Sequence, residues 1–290
     1  MTADKPFDRQ LRRLRRDRAA RTFAGADYLH RRAAHELLER LDLVKRDFTD
    51  ALVLGSANGF AAEALRERGL SVVSADAGSA FARASRGIQC DEDRLPFAEG
   101  AFDLVLSVGV LDSVNDLPGA LTLIRRALRP DGLFLAAFAG AGSLPRLRSA
   151  MAAAEAAEGG AAAPRIHPQI DARAAGDLLQ RAGFALPVVD RDTVAIRFSS
   201  FAGLIADLRA MAGTNILQGR SRRPLTRYGL AAAYAAFASE AEPDGKTAEI
   251  FDILYLIGWA PSPDQPRPAR RGSATASLAE ALNPGARSIE

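Results

Sequence analysis

Residues 51–60, "ALVLGSANGF", change character at one point. An apolar run from Ala51 to Leu54 stops at Gly55, a second glycine follows at Gly59, and a helical pattern then begins. That is strand, turn, helix, and the chain goes on to repeat the alternation. Further strands are expected at "LSVVSA" (70–75), "FDLVLSV" (102–108) and "GLFLAAF" (132–138). Helices are expected at 59–68, closed by Gly69, and at 116–129, with Asp116 as N-cap and Pro118 in the first turn. "RPDG" at 129–132 reads as the turn between helix and strand. Strands separated by helices pair in parallel through right-handed crossovers, so the fold class is α/β, a doubly wound Rossmann-like sheet.

Upstream, a helix over 28–46 puts Ala34, Leu37, Leu38, Leu41 and Val44 on one face. Downstream, an Ala/Glu/Gly tract at 150–164 reads as helix then loop. A capped helix follows from Asp171 to 182, with Gly183 after it, and then a strand-like stretch at 188–198. Residues 199–247 are helical again, with Phe201, Leu204, Ile205, Leu208 and Met211 on one face and Leu230, Tyr234 and Phe237 on another. These aromatic and methionine stripes read as core. "EIFDILYLIGWA" (249–260) is a buried last strand, and a Pro/Ser/Arg-rich tail with a short amphipathic candidate at 277–282 follows Pro261. The divisions are a basic helical extension (1–48), an α/β core (49–198), a helical segment (199–247), a last core strand (248–260) and a tail (261–290).

Bulk properties exclude several classes. No apolar run approaches the roughly 20 residues that cross a bilayer, and no h-region near Met1 marks a secretory signal. A single cysteine, Cys90, rules out an internal disulfide framework and fits a reducing compartment. Three histidines and one cysteine leave little from which to build a transition-metal site, and none is expected. Nucleic-acid binding is not expected, since no recognition module or aromatic interleaving is present.

Net charge is only +3, yet "FDRQLRRLRRDRAAR" (7–21) carries seven arginines against two aspartates. Phe7, Leu11 and Leu14 recur at helical spacing. The segment therefore reads as a helix with one apolar edge and a basic remainder. It is either solvated and packed by that edge, or it contacts an acidic partner or a membrane surface, or it is an import signal, for which the acids Asp8 and Asp17 are atypical. The basic loop "QGRSRRPLTR" (218–227) is either solvated or contacts an acidic partner.

Four features fall at the carboxyl ends of the expected strands, where open α/β sheets bind ligands. The first is the loop Gly55-Ser56-Ala57-Asn58-Gly59, whose following helix offers free N–H groups. Asp76, just past the second strand, is placed to accept both hydroxyls of a ribose. In the acidic turn "CDEDRLPF" (90–97), Asp91 can accept from an adenine amino group and the backbone of Glu92 can donate to the ring. The last is Ser107-Val108-Gly109, beside the expected cofactor. Each alone is also an ordinary turn, cap or surface acid; their order and spacing together point to a nucleoside.

"CDEDRLPFAEGAFDLVLSVGVL" with "LIRRALRPDGLFLAAF" resembles the class I S-adenosylmethionine-dependent methyltransferases over roughly 50–140. Segments along most of the chain resemble the complex I assembly factor 5 family and its bacterial relatives, which are in turn similar to malonyl-acyl-carrier-protein methyltransferases. These include "FDRQLRRLRRDRAA", "LLQRAGFALPVVD", "DLRAMAGTN", "FDILYLIGWAP" and "GSATASLAEAL". The resemblance implies a seven-stranded, mostly parallel sheet with an antiparallel last strand, and an insertion at 199–247 over the substrate side. It implies S-adenosylmethionine as cofactor, with contacts at Gly55, Ser56, Ala57, Gly59, Asp76, Ala77, Asp91, Glu92 and Ser107.

Departures from the pattern bear on the chemistry. Val53 stands where the methyltransferase loop carries an acid, and Ala57 where it carries glycine. "LDSVND" (111–116) replaces an aromatic-rich "LHWVND", putting Asp112 and Ser113 near the reaction centre. The expected activity is methyl transfer to an unidentified protein or carrier-linked acceptor. The alternative is a complex I assembly factor-like protein, acting as an arginine hydroxylase or without catalysis. Asp112 is a candidate base or a surface acid; Asn215 orients substrate or ends a helix. Other catalytic residues are unassigned. By resemblance, a respiratory complex I subunit is the expected protein substrate, and the expected location is bacterial cytoplasm, at most peripheral at the inner membrane.

Overall fold

The computed structural model describes residues 5–57, 59–159 and 163–265. The helix candidate at 277–282 and all but the first residues of the expected tail lie outside them. Among the described residues the strands are β1 (Asp50–Leu54), β2 (Ser71–Asp76), β3 (Ile88–Gln89), β4 (Phe102–Val108), β5 (Leu128–Ala139), β6 (Ala185–Phe198) and β7 (Thr247–Trp259). They form one sheet in the order β3-β2-β1-β4-β5-β7-β6. The first five pair in parallel, and β7 runs antiparallel to both β5 and β6.

Helices cover both faces. Helices α2 (Tyr28–Asp42) and α3 (Phe60–Glu67) bury Leu37, Leu38, Leu41, Ala62 and Leu65 against Val53, Leu104 and Leu106. On the other face α5 (Leu117–Ala127) and α7 (Ala172–Arg181) bury Leu121, Ile124 and Leu179 against Leu52, Leu54, Val105 and Phe134. Strand β4 is sandwiched between these layers and buried at all seven positions, which is why it reads as a mostly apolar run, broken only by Asp103 and Ser107. Its one acid, Asp103, accepts hydrogen bonds from the backbone N–H groups of Thr49 (2.9 Å) and Asp50 (3.0 Å), fixing the entry to β1.

Three further helices, α6 (Pro145–Glu158), α8 (Phe201–Ala210) and α9 (Arg227–Ala238), form a cap with its own core of Leu147, Phe201, Leu204, Leu208 and Phe237. The cap is joined to β7 by Glu249, whose carboxylate accepts the N–H groups of Arg146 (3.1 Å) and Leu147 (2.7 Å) at the start of α6.

Several sequence expectations are corrected. "RPDG" belongs to β5, where Asp131 adopts φ 59° and the β4–β5 register shifts. The 28–46 helix ends at Asp42, and α6 begins five residues before the Ala-rich tract. Helix α9 turns Gly229, Ala233 and Phe237 inward, leaving Leu230 and Tyr234 on the surface. Small residues face inward because α9 packs closely on the alanine-rich α6. Helix α4 (Ser79–Ala84) has no capping residue of its own. Its N–H at Ala80 is satisfied by Asp17, 63 residues earlier, at 2.8 Å.

Candidate functional site

The strand order reverses between β1 and β4, and the crevice beyond their carboxyl ends is where a ligand meets this fold. Gly55 leaves β1 with φ +77° and Gly59 caps α3 with φ +74°, so both turn glycines adopt backbone that other residues reach only under strain. A Cβ at Gly55 would also be driven into the carbonyl oxygen of Val108. Ser56 is buried, its hydroxyl donating to Ser85 at 3.0 Å. Ala57 packs its methyl into a cluster with Ala19, Phe23 and Phe81. Val53 lies wholly inside the layer under α2 and α3, without exposed surface.

The acids stand at the strand ends, and every one is engaged by α1 (Arg9–Ala19), which lies across them. Asp76 ends β2 fully buried; its carboxylate accepts from Gly78 N (2.7 Å) and, bidentately, from Arg16 Nε (2.7 Å) and Nη2 (2.6 Å). Glu92 accepts from both Nη atoms of Arg12, at 2.7 and 2.9 Å. Asp91 is paired with Arg13 and, at 2.8 Å, with Arg9, which also grips Asp93 at 2.6 and 2.7 Å. Burial pushes the Asp91 carboxyl up, but Arg13 and Arg9 outweigh it and hold the group below the usual carboxylate range. Ala77 is buried, and its carbonyl accepts from Gln89.

The N-terminal segment packs by part of its apolar edge, with Phe7 buried and Leu11 resting beside it on Ile216 and Leu217, while Leu14 is 44% exposed; its basic side is not simply solvated, since Arg12 and Arg16 are each 5% exposed. The missed signal is spacing. Arg9, Arg12, Arg13 and Arg16 fall at i, i+3, i+4 and i+7, the period of a buried face written in arginine. The acidic surface they meet is the chain's own. The two acids of the segment are structural. Asp8 caps α1 through Leu11 N (3.0 Å) and Asp17 caps α4. Ahead of the helix, Asn115 clamps the backbone of Phe7, at 2.9 and 3.1 Å, and Phe7 bridges to Leu217.

Beside this clamp opens a cavity of about 600 Å³, between the ends of β4 and β5, α1 and the cap. Val108, Gly109 and Asp112 line one part, and Leu147, Met151, Leu208, Phe251 and Ile253 give it apolar walls. Burial raises the Asp112 carboxyl to about 6, with nearby Arg12 opposing. Ser113 accepts from Arg12 Nε at 3.1 Å. Ser107 sits one residue behind the cavity wall, fully buried, with no partner for its hydroxyl among the described residues. Asn215 reaches the cavity but spends its amide on bracing: it donates to the Pro164 carbonyl (2.8 Å) and accepts from Leu217 N (2.9 Å). His30 lies against Gly109 and His167 accepts from Ile216 N at 3.1 Å; burial lowers each imidazole to about 4, so both are neutral. Among the described residues no group of three or more His, Cys, Asp or Glu side chains is arranged to hold a metal ion.

The donor set fits a nucleoside with a charged tail. Carboxylates stand at the ends of β2 and after β3, and a glycine-bounded loop precedes a helix N-terminus. The partner held by those carboxylates is arginine from α1.

Residues 52–136 match the model of a methyltransferase domain family. Over 284 aligned residues the chain is 35% identical to the arginine-hydroxylase NDUFAF5, mitochondrial, of Danio rerio, covering 94% of this chain and 88% of that protein. It is 30% identical to the malonyl-[acyl-carrier protein] O-methyltransferase of Laribacter hongkongensis (strain HLHK9), covering 88% of this chain and 89% of the relative. Among solved structures, the methyltransferase in complex with the Trm112 activator of Haloferax volcanii superposes with a TM-score of 0.53 at 20% identity, covering 88% of this chain and 99% of that one. The cofactor of the matched domain is S-adenosylmethionine. With its strand order, its strand-end acids and a relative aligned along nearly its full length, the chain belongs to the family of class I methyltransferase-fold proteins that includes NDUFAF5 and the malonyl-[acyl-carrier protein] O-methyltransferases.

Proposed function

We propose that the chain moves a methyl group from S-adenosylmethionine to an acceptor held in the cavity between α1 and the helical cap. One observation carries this reading: the cavity is lined by Val108, Gly109 and Asp112 at the end of β4 and by Arg12 and Arg16, whose guanidinium groups hold Glu92 and Asp76 at the neighbouring strand ends. When bound, the cofactor supplies an electrophilic sulfonium methyl whose leaving group is already activated. Asp76 is the group for the ribose hydroxyls. Asp91 and the Glu92 backbone suit the adenine, and the 55–59 turn with the start of α3 takes the methionine end. Asp112, with its carboxyl near 6, is largely ionised at neutral pH and can take a proton from an acceptor. The apolar walls keep water from competing as nucleophile. Helix α1 has to loosen its hold on the acids for the ribose and adenine to reach them.

Calorimetry with S-adenosylhomocysteine tests the first step, and absence of binding refutes the reading. Mass spectrometry of an acceptor tests the second. A gain of one methyl supports transfer, a gain of one oxygen supports the hydroxylase activity for which the NDUFAF5 relatives are named, and no gain supports an assembly role without catalysis. Kinship with those relatives makes a complex I subunit the first protein acceptor to try. The location we propose is bacterial cytoplasm, at most peripheral at the inner membrane, although the NDUFAF5 relatives are named mitochondrial; no helix among the described residues is long and apolar enough to cross a membrane.

A further inference from the structure

The charges around the cavity do not balance. Arg12 and Arg16 are matched by Glu92 and Asp76, Arg165 by Glu155 at 2.9 Å, and Arg220 by Asp8 at 3.2 Å. Arg15 is not matched. It reaches into the same cavity, half-buried, and its N–H groups go to neutral acceptors, the Thr214 hydroxyl at 2.7 Å and the Asn215 carbonyl. Among the described residues no carboxylate comes within ion-pair distance of it. Its electrostatic neighbours are three more cations, Arg220, Arg18 and Arg209, and one acid, Asp8, itself bonded to Arg220; burial and the cations outweigh Asp8 and lower the proton affinity of Arg15. Arg222, also on the cavity wall, has no ion pair among the described residues. A partly desolvated guanidinium among like charges is unfavourable unless an anion completes it, and guanidinium suits carboxylate and phosphate oxygens in a bidentate geometry. Beside these cations the walls are apolar: Leu147, Met151, Leu208 and Phe251.

We propose that the cavity takes an amphiphile with an apolar body and an anionic end, carboxylate or phosphate, the anion seated on Arg15 and Arg222. The inference names a substrate class for the acceptor site proposed above and rests on that reading of the cavity. A guanidinium acceptor is disfavoured, because it would meet six wall arginines and a single wall acid, Asp112.

The test is calorimetry of the full chain with octyl phosphate, octanoate, octanol and octylguanidinium, with and without S-adenosylhomocysteine. One or both octyl anions are expected to bind at least tenfold more tightly than octanol, and octylguanidinium more weakly than octanol. Which anion wins identifies the source as a phosphate ester or a carboxylic acid. Arg222→Gln removes an exposed side chain that has no hydrogen bond or ion pair among the described residues, and is expected to lose about threefold in anion affinity. Arg15→Gln is expected to lose about tenfold, and Arg15→Lys to recover most of it. Equal binding of octanol and the anions, or a preference for octylguanidinium, overturns the proposal. So does an Arg15→Gln variant that loses affinity for S-adenosylhomocysteine while keeping the octyl anions, since the cation would then belong to the cofactor's own carboxylate. These readouts need no turnover. A protein that takes octyl anions but not S-adenosylhomocysteine refutes methyl transfer and leaves this inference standing, and the reverse result separates the two the other way.

Discussion

Arg16→Leu isolates the competition between α1 and the cofactor. Asp76 accepts three N–H groups, two of them from Arg16, and neither side chain has appreciable exposure. Ribose hydroxyls can reach both carboxylate oxygens only after the guanidinium withdraws. Hydrogen bonds to a charged group contribute about 1.5–3 kcal/mol each, so releasing two opposes binding by up to ~3–6 kcal/mol. Hydration of the freed arginine returns part of that, leaving a net ~1.4–2.8 kcal/mol, a factor of roughly 10–100 in affinity. Leucine keeps an apolar stem near Phe81, over which Arg16 now sits at 5.2 Å, and donates nothing. The variant should therefore bind S-adenosylhomocysteine about 10–100-fold more tightly in calorimetry. Its free form should be less stable by ~3–5 kcal/mol, because Asp76 is left buried and unpaired. The two shifts have opposite signs, so a damaged fold cannot imitate the result. Unchanged or weaker binding would show that Arg16 serves the bound cofactor or that Asp76 does not hold the ribose, and would refute the reasoning.

Val53→Asp, which restores the loop acid of related enzymes, should weaken the fold rather than strengthen cofactor binding. A carboxylate in that fully buried layer has its pKa raised by about 3–5 units, which at pH 7 amounts to a few kcal/mol of lost stability, visible in urea unfolding; an unaltered midpoint would contradict the placement of Val53. Gly55→Ala should lower stability by roughly 2–3 kcal/mol through its φ of +77° and the blocked Cβ position, and a melting curve matching wild type would count against this turn geometry. For Asp112, the folded pKa of about 6 lies above the usual carboxylate value. Its favourable contribution is therefore complete at low pH and disappears as pH rises through about 6. Asp112→Asn should match wild type near pH 4 and exceed it by ~1–2 kcal/mol at pH 8, after discounting for its open cavity face. Methyl transfer by that variant should fall at least 100-fold if the carboxylate is the base; a stability difference independent of pH would remove Asp112 from the cavity wall.

The sheet was legible because its central strands are buried on both faces, and such strands carry apolar runs bounded by glycine, as Ala51–Leu54 and Phe102–Val108 do. What stayed hidden depends on partners distant in sequence. Helix α4 is capped by Asp17, and no local window around Ser79 contains that cap. The inward face of α9 runs along Gly229 and Ala233 because an alanine-rich neighbour lies close, while Tyr234 remains outside. The site divides in the same way. Asp76, Asp91 and Glu92 were readable from their positions after strands, whereas their occupants were not, since arginine ordinarily marks a solvated face. The two halves are complementary in detail: four arginines at i, i+3, i+4 and i+7 meet Asp76, Asp91, Glu92 and Asp93, the acids of one strand end and one turn. Ala57, a departure from the glycine pattern, belongs to the same arrangement, because its methyl packs against Ala19 and Phe23, just past the arginine face. The loop altered at 57 and the arginine-rich helix are therefore two sides of one contact. A glycine at position 57 would remove that methyl and loosen the end of α1 nearest Asp76, so Ala57→Gly should raise cofactor affinity in the same direction as Arg16→Leu and by less.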